Sequence, residues 1–237
     1  ISGNFAMGEA ELLIAIGTRA VCQSDCSGIG YPNVRQVINI NADADDVMHY
    51  NHTLPIQGDI GAILSQLLPR LDGTQGSGRR HWQAECLAKK QEWVAFRAAQ
   101  CRAQPLLDDA WRHAVLTQPA AIKTVADFCK QHDLLKIFDA GDVQANGFQI
   151  VEDDTPFDTV TESGASYMGF GVSAILANAL ATHPRYAVAF TGDGSFMMSP
   201  QVLIDAVQHR AKGMIVIFDN RRMAAISGLQ DAQYKAD

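Results

Sequence analysis

Apolar runs of five residues occupy positions 186–190 and 214–218, and each gives way at once to small and polar residues. Short apolar runs bounded by turn formers predict buried strands of a parallel sheet. Between the runs, Ser199 and Pro200 open a segment with apolar residues at Leu203, Ala206 and Val207, the spacing of one helix face. Serine is a good N-cap and proline sits well at the first helical position, so a helix is expected from there. Strand, helix and strand form a parallel crossover unit, which brings the carboxyl ends of both strands to one edge, where open α/β sheets bind ligands.

The same pattern extends through the chain. Positions 10–19 read as a buried strand ending in Gly17, positions 34–41 as a second, and 60–68 as an amphipathic helix after Leu54-Pro55-Ile56-Gln57-Gly58-Asp59. A glycine-rich break at 72–78 reads as a linker. Positions 81–103 predict a charged helix with Trp82, Cys86, Trp93 and Phe96 near one packing face. Positions 135–138 predict another strand, and 172–181 a helix packed closely through Gly169 and Gly171. Gly169-Phe170-Gly171-Val172-Ser173-Ala174 fits a dinucleotide fingerprint, but that fingerprint needs a strand directly before it. Positions 159–166 are polar and small, so the match is read as accidental. The expected architecture is α/β with two doubly wound parallel-sheet units: residues 1–71, a linker and helix at 72–104, and residues 105–237.

The sheet edge after the two apolar runs carries Thr191-Gly192-Asp193-Gly194-Ser195 and Phe218-Asp219-Asn220, with Asn220 27 positions beyond Asp193. Gly192 and Gly194 let the backbone turn sharply and approach a ligand. One carboxylate and one amide oxygen cannot cage a metal alone. They suit Mg²⁺, a hard cation commonly shared between a carboxylate or two and substrate phosphates. The expected ligand is therefore a Mg²⁺-bridged diphosphate.

Gly192-Asp193-Gly194 followed by Asp219-Asn220 resembles the thiamine-diphosphate motif, which begins Gly-Asp-Gly and ends Asn-Asn. The resemblance implies that Asp193, Asn220 and the main-chain carbonyl of Arg222 bind Mg²⁺, and that the amides around Gly194 and Ser195 face the diphosphate beside Gly192. Asp219 stands where the family has the first Asn. The segment 163–171 is similar to the part of acetolactate-synthase-like enzymes that holds the aminopyrimidine, which implies that Met168 wedges the cofactor into a bent shape, with the Ser166 carbonyl and the Met168 amide on the pyrimidine. Residues 135–144 resemble the first strand and loop of the same domain. Relatives often carry Gln-His after the glycine; here the pair is Asp142-Val143, and only Gly141 carries over as a cofactor contact.

Within that superfamily, Phe218-Asp219-Asn220, residues 225–230 and residues 38–43 are similar to the trihydroxycyclohexane-dione hydrolase branch of inositol breakdown. The resemblance implies a thiamine-diphosphate- and Mg²⁺-dependent enzyme that makes or breaks a C–C bond next to a carbonyl of a small-molecule substrate. The alternatives are a C–C hydrolase opening a cyclic dione, and a non-catalytic nucleotide-binding or scaffold relative. It also implies a homodimer or homotetramer, and an activating Glu from a domain outside this chain, which is read as a piece of a longer protein. Residues 1–71 look like part of a Rossmann-like middle domain, where some relatives hold FAD. No complete phosphate-binding fingerprint survives there, so a structural role is expected, with Arg19 and Asp43 the first suspects for a nucleotide contact.

Composition removes several other classes. A net charge of −7 without a basic run argues against a nucleic-acid surface. No apolar stretch is long enough to span a bilayer. Five scattered cysteines do not make a disulfide framework. Cys22 and Cys26 lack the second pair a zinc site needs. A reducing cytoplasm is the expected location.

Overall fold

The structure, a computed structural model, describes residues 2–18, 29–71, 77–109, 111–162 and 164–234. Arg19, Cys22, Cys26, Ser163 and most of the glycine-rich break, 72–76, lie outside the described residues. The chain divides into two compact units, Ile1–Phe96 and Arg97–Asp237, and each contains a parallel sheet, so the fold is α/β.

In the first unit, α1 (Ser2–Glu9) leads to the parallel strands β1 (Leu12–Ile16), β2 (Gln36–Asn41) and β3 (Thr53–Gln57), which lie in that order, and then to α2 (Ile60–Leu71). Ala15, Tyr31, Val34, Val37 and Tyr50 form its core. β1 stops where Gly17 adopts φ +61°, and a side chain there would meet Ile60 Cδ1 at 2.8 Å. Asp43 spends Oδ1 on the backbone N–H groups of Asp45 and Asp46. Those bonds, that of Asp46 first, hold its carboxyl below the ordinary aspartate value. α3 (Ser77–Gln100) is the long charged helix; Trp82, Cys86 and Trp93 lie on its half-buried side, while Phe96 is 54% exposed.

The second unit begins with a hairpin that the sequence pattern does not announce, β4 (Leu106–Asp108) and β5 (His113–Val115). α4 (Gln118–Gln131) follows, capped at Thr117, whose hydroxyl accepts from Ala120 N–H, with Pro119 in its first turn. Next come β6 (Leu135–Phe138), α5 (Asp142–Ile150), β7 (Thr159–Thr161), α6 (Phe170–Ala179), β8 (Ala187–Gly192), the single turn α7 (Asp193–Phe196), α8 (Val202–Gln208), β9 (Gly213–Phe218) and α9 (Ala224–Tyr234). The four sheet strands lie parallel in the order β7-β6-β8-β9.

Alternation along the central strands divides the core between both faces of this sheet. Leu135, Ile137, Ala187 and Ala189 pack with Ile175 of α6 on one face. Phe138, Val188 and Phe190 pack with Ile122, Ala126 and Cys129 of α4 and Val143 and Ile150 of α5 on the other. The rings of Phe138, Phe190 and Phe218 stack at 4.4 and 6.1 Å across three strands. Each fully buried ring contributes on the order of 1.5–3 kcal/mol. Lys136 breaks the apolar run of β6, yet it is buried; its ammonium meets Asp153 at 3.0 Å.

Two local expectations change. α8 starts at Val202 rather than near Ser199, because Val202, Leu203 and Ile204 bond back by three residues and make a tight lead-in turn first. Residues 159–161 do form a strand, a short outer one carried by Thr-Val-Thr. Seven residues, 162–168, still separate it from Gly169, so no strand runs directly into the Gly-x-Gly segment.

Candidate functional site

β6 and β8 are neighbours, but the chain leaves β6 toward β7 on one side and leaves β8 toward β9 on the other, so the two connections part at their carboxyl ends. Such a switch point leaves a crevice at the edge of an open α/β sheet. A cleft of about 240 Å³ lies there, lined by Gly141, Ser166, Met168, Gly192, Asp193, Gly194, Ser195, Asn220 and Arg222, together with Gln118, Asp142 and Met223. Every residue that the thiamine-diphosphate resemblance assigns to cofactor or Mg²⁺ thus lines one cavity, while Asp43, a suspect for a nucleotide contact, lies in the first unit.

The register explains the convergence. Phe138 pairs with Phe190, and Gly192 with Phe218. Asp193 therefore follows β8 by one residue and Asn220 follows β9 by two, at the same edge. The Asp193 carboxylate is half-buried and accepts no hydrogen bond from the described residues. Asn220 Oδ1 accepts the Arg222 N–H at 2.9 Å, and Asp219 Oδ1 accepts the Arg221 N–H at 3.1 Å, so the loop after β9 folds as two overlapping side-chain turns. Asp219, in the position of the family's first Asn, holds the backbone in this way.

The glycines act differently from one another. Gly141 has φ +92° and open space where a Cβ would stand. Gly194 lies where a Cβ would press at 3.3 Å on both Met168 Cε and Met223 Sδ. Met168 thus meets the Gly-Asp-Gly turn across the cleft floor. Asp142 lines the cleft in the first turn of α5 and makes no ion pair with the described residues.

Three polar residues that sequence reasoning did not single out organise the rim. Asp139 is fully buried; Oδ1 accepts from the N–H groups of Ala140 and Gly169, both at 2.9 Å, and Oδ2 from the Thr191 hydroxyl at 2.8 Å. It joins the ends of β6 and β8 to the start of α6. Gln144 and Glu162 hold the segment carrying Ser166. The N–H bonds to the Glu162 carboxylate, that of Ala165 first, keep it below the ordinary glutamate value against the opposing effect of burial. The one sequence signal for Asp139 is a carboxylate directly after an apolar strand run; for Glu162 it is an acid directly before small residues.

No group of three or more His, Cys, Asp or Glu side chains gathers among the described residues. A transition-metal cage is therefore absent from them. One free carboxylate, one amide oxygen and a main-chain carbonyl beside an open cleft fit a Mg²⁺ that takes its other ligands from phosphate and water.

Residues 139–237 match the model of the thiamine pyrophosphate enzyme, C-terminal TPP binding domain family. The chain is 28% identical over 251 residues to the 3D-(3,5/4)-trihydroxycyclohexane-1,2-dione hydrolase of Listeria monocytogenes serotype 4b (strain F2365), covering 98% of this chain and 38% of that protein. It is 29% identical over 246 residues to the enzyme of the same name from Lacticaseibacillus casei, covering 98% and 38%. It is 26% identical over 230 residues to the acetolactate synthase isozyme 2 large subunit of Escherichia coli (strain K12), covering 95% and 38%. The chain therefore spans under two-fifths of the length of these relatives. The likeness to thiamine-diphosphate enzymes, with both the acetolactate-synthase and dione-hydrolase branches among the relatives, is borne out.

Proposed function

We propose that this chain, whose residues 139–237 match the model of a thiamine-pyrophosphate-enzyme C-terminal domain, belongs to the diphosphate-binding side of a Mg²⁺-dependent enzyme that makes or breaks a C–C bond next to a carbonyl. The observation that carries the reading is the convergence of a free Asp193 carboxylate and the Asn220 amide at one cleft edge, one and two residues past paired strand ends. Bound thiamine diphosphate supplies a carbon nucleophile and an electron sink for the bond that forms or breaks. Asp193, Asn220 and the Arg222 carbonyl hold the Mg²⁺. Gly194 and Ser195 turn first-turn N–H groups, which have no partner inside the helix, toward the diphosphate. Gly141 leaves room beside it. Ser166 and Met168 take the pyrimidine end, with Met168 as the apolar support. No acid or base of this chain is assigned to proton transfer.

Within that class, hydrolytic opening of a cyclic dione is the more specific reading. It is supported by Asp219 in the first position of the Asp-Asn pair and by relatives carrying the dione hydrolase name. The protein would act in the cytoplasm as a homodimer or homotetramer, in keeping with the free thiols of Cys86, Cys101 and Cys129. The test is to assay the whole protein with Mg²⁺ and thiamine diphosphate for acetolactate formation and for ring opening of a trihydroxycyclohexane-1,2-dione. Ring opening alone supports the hydrolase reading, acetolactate formation the synthase reading. Neither activity in a protein that binds the cofactor refutes both.

A further inference from the structure

Among its described residues the segment between β7 and α6 has no strand or helix up to Gly169, yet it presents Ser166 and Met168 to the cleft. Ser166 sits at φ +53°, a conformation a non-glycine residue holds only when its surroundings enforce it. Two side chains enforce it. Glu162 Oε1 accepts the N–H groups of Gly164 at 2.6 Å and Ala165 at 2.9 Å, and Oε2 accepts those of Ala165 at 3.1 Å and Ser166 at 2.5 Å. Its carboxylate makes no ion pair with the described residues, so both oxygens serve the loop backbone.

Gln144, 7% exposed in α5, works from below. Its Oε1 accepts the Ser166 hydroxyl at 3.0 Å, and its Nε2 donates to Thr161 Oγ1 and to the Glu162 carbonyl, both at 2.7 Å. Thr161 in turn donates to the Phe138 carbonyl at the end of β6 at 3.1 Å. The first turn of α5, with Gly141 before it and Asp142 and Val143 within it, lines the cleft at the other end. Gln144 therefore ties the Ser166–Met168 segment to the helix that begins beside the Gly-Asp-Gly turn. Neither Gln144 nor Glu162 lines the cleft itself.

We propose that Glu162 and Gln144 are positioning residues for the cofactor. They hold the pyrimidine-side segment in its binding shape before the ligand arrives, Glu162 through the loop N–H groups and Gln144 through the Ser166 hydroxyl. The proposal rests on the thiamine-diphosphate reading and deepens it. Without the carboxylate, three loop N–H groups turn to water and Ser166 leaves its left-handed conformation. The ligand must then order the loop at the expense of affinity.

The test is calorimetric titration of the whole protein with two probes: thiamine diphosphate at saturating Mg²⁺, and Mg²⁺ with inorganic diphosphate. Glu162→Ala and Gln144→Ala are expected to weaken thiamine diphosphate on the order of ten-fold, with Glu162→Gln recovering part of the loss, while inorganic diphosphate binds as in the parent. Amide exchange at Gly164, Ala165 and Ser166 should speed up in Glu162→Ala without any ligand present. Parent-like thiamine diphosphate affinity in both alanine variants overturns the proposal, and so does an equal loss of both probes, which marks general damage to the site. A parent protein that binds neither probe overturns the cofactor reading and the proposal with it.

Discussion

Replacing Asp139 with alanine tests how the cleft edge is held. The carboxylate is fully buried and is the shared acceptor for Ala140 N–H, Gly169 N–H and the Thr191 hydroxyl. The Thr191 hydroxyl has a second acceptor within reach, the Gly192 carbonyl at 3.3 Å. The two backbone N–H groups have none among the described residues. A buried donor stripped of its acceptor costs about 1–3 kcal/mol, so the loss is about 2–6 kcal/mol for the pair. For a unit of this size each kcal/mol moves Tm by about 3–4 °C, so Asp139→Ala should melt about 6–24 °C below the parent. Asparagine keeps Oδ1 for both N–H groups and offers Nδ2 to Thr191 Oγ1, whose own hydrogen can turn to Gly192. Asp139→Asn should therefore stay within about 1 kcal/mol of the parent. The assay is thermal melting of the whole protein and both variants, followed by near-UV circular dichroism. An alanine variant melting within about 2 °C of the parent refutes the shared-acceptor argument. An asparagine variant that falls as far as the alanine variant shows that charge, not acceptor geometry, is what matters.

Gly147→Ala should destabilise the second unit by about 1–3 kcal/mol in chemical unfolding, despite alanine's helical advantage of about 1 kcal/mol, because the new Cβ would lie 2.5 Å from the buried Phe138 ring; a variant as stable as the parent contradicts the packing of α5 on β6. Burial pushes the Cys129 thiol up to about 11, with the Lys136 ammonium opposing, so at pH 8 it should resist iodoacetamide in native protein and react only after unfolding; peptide mapping by mass spectrometry decides this. Glu162, with its folded value below the unfolded one, stabilises its loop above the unfolded value of about 4.3 and loses that contribution as pH falls through the lower folded value. Amide exchange at Gly164 to Ser166, corrected for intrinsic rate, should therefore change little from pH 7 to 5 and accelerate below about pH 4, and flat protection through that range contradicts it.

The parts of the fold visible in the sequence are those with long, single-valued signals. The apolar runs at 186–190 and 214–218 read as strands once a helix face and turn formers were found between and around them, and that alone sets Asp193 and Asn220 on one edge; β8 is buried as expected, whereas β9, at the end of the strand order, leaves Met214 and Ile217 exposed. Strands of three residues carry no such signal: Leu106–Asp108 and His113–Val115 pair with each other in a two-stranded sheet, and Thr159–Thr161 is held by the ladder to β6 rather than by apolar pattern. The start of α8 was misplaced because Ser199 and Pro200, good helix openers, here serve a tight turn. The rim was hidden for a different reason. Asp139 and Gly169 are 30 residues apart, and Gln144 and Ser166 are 22 apart. A buried carboxylate whose partners are distant backbone N–H groups reads as an ordinary turn residue until the chain is folded. Lys136 is the same case in the strand: a lysine amid apolar residues looks misplaced until Asp153 is beside it.

The central claim is that the cleft edge between Asp193 and Asn220 is a Mg²⁺–diphosphate site. The most direct measurement is titration of the whole protein with thiamine diphosphate, with and without Mg²⁺, beside Asp193→Ala. The expected result is binding that requires Mg²⁺ and that the alanine variant loses while its fold is retained. Binding unaffected by Mg²⁺, or equal in parent and variant, would contradict it.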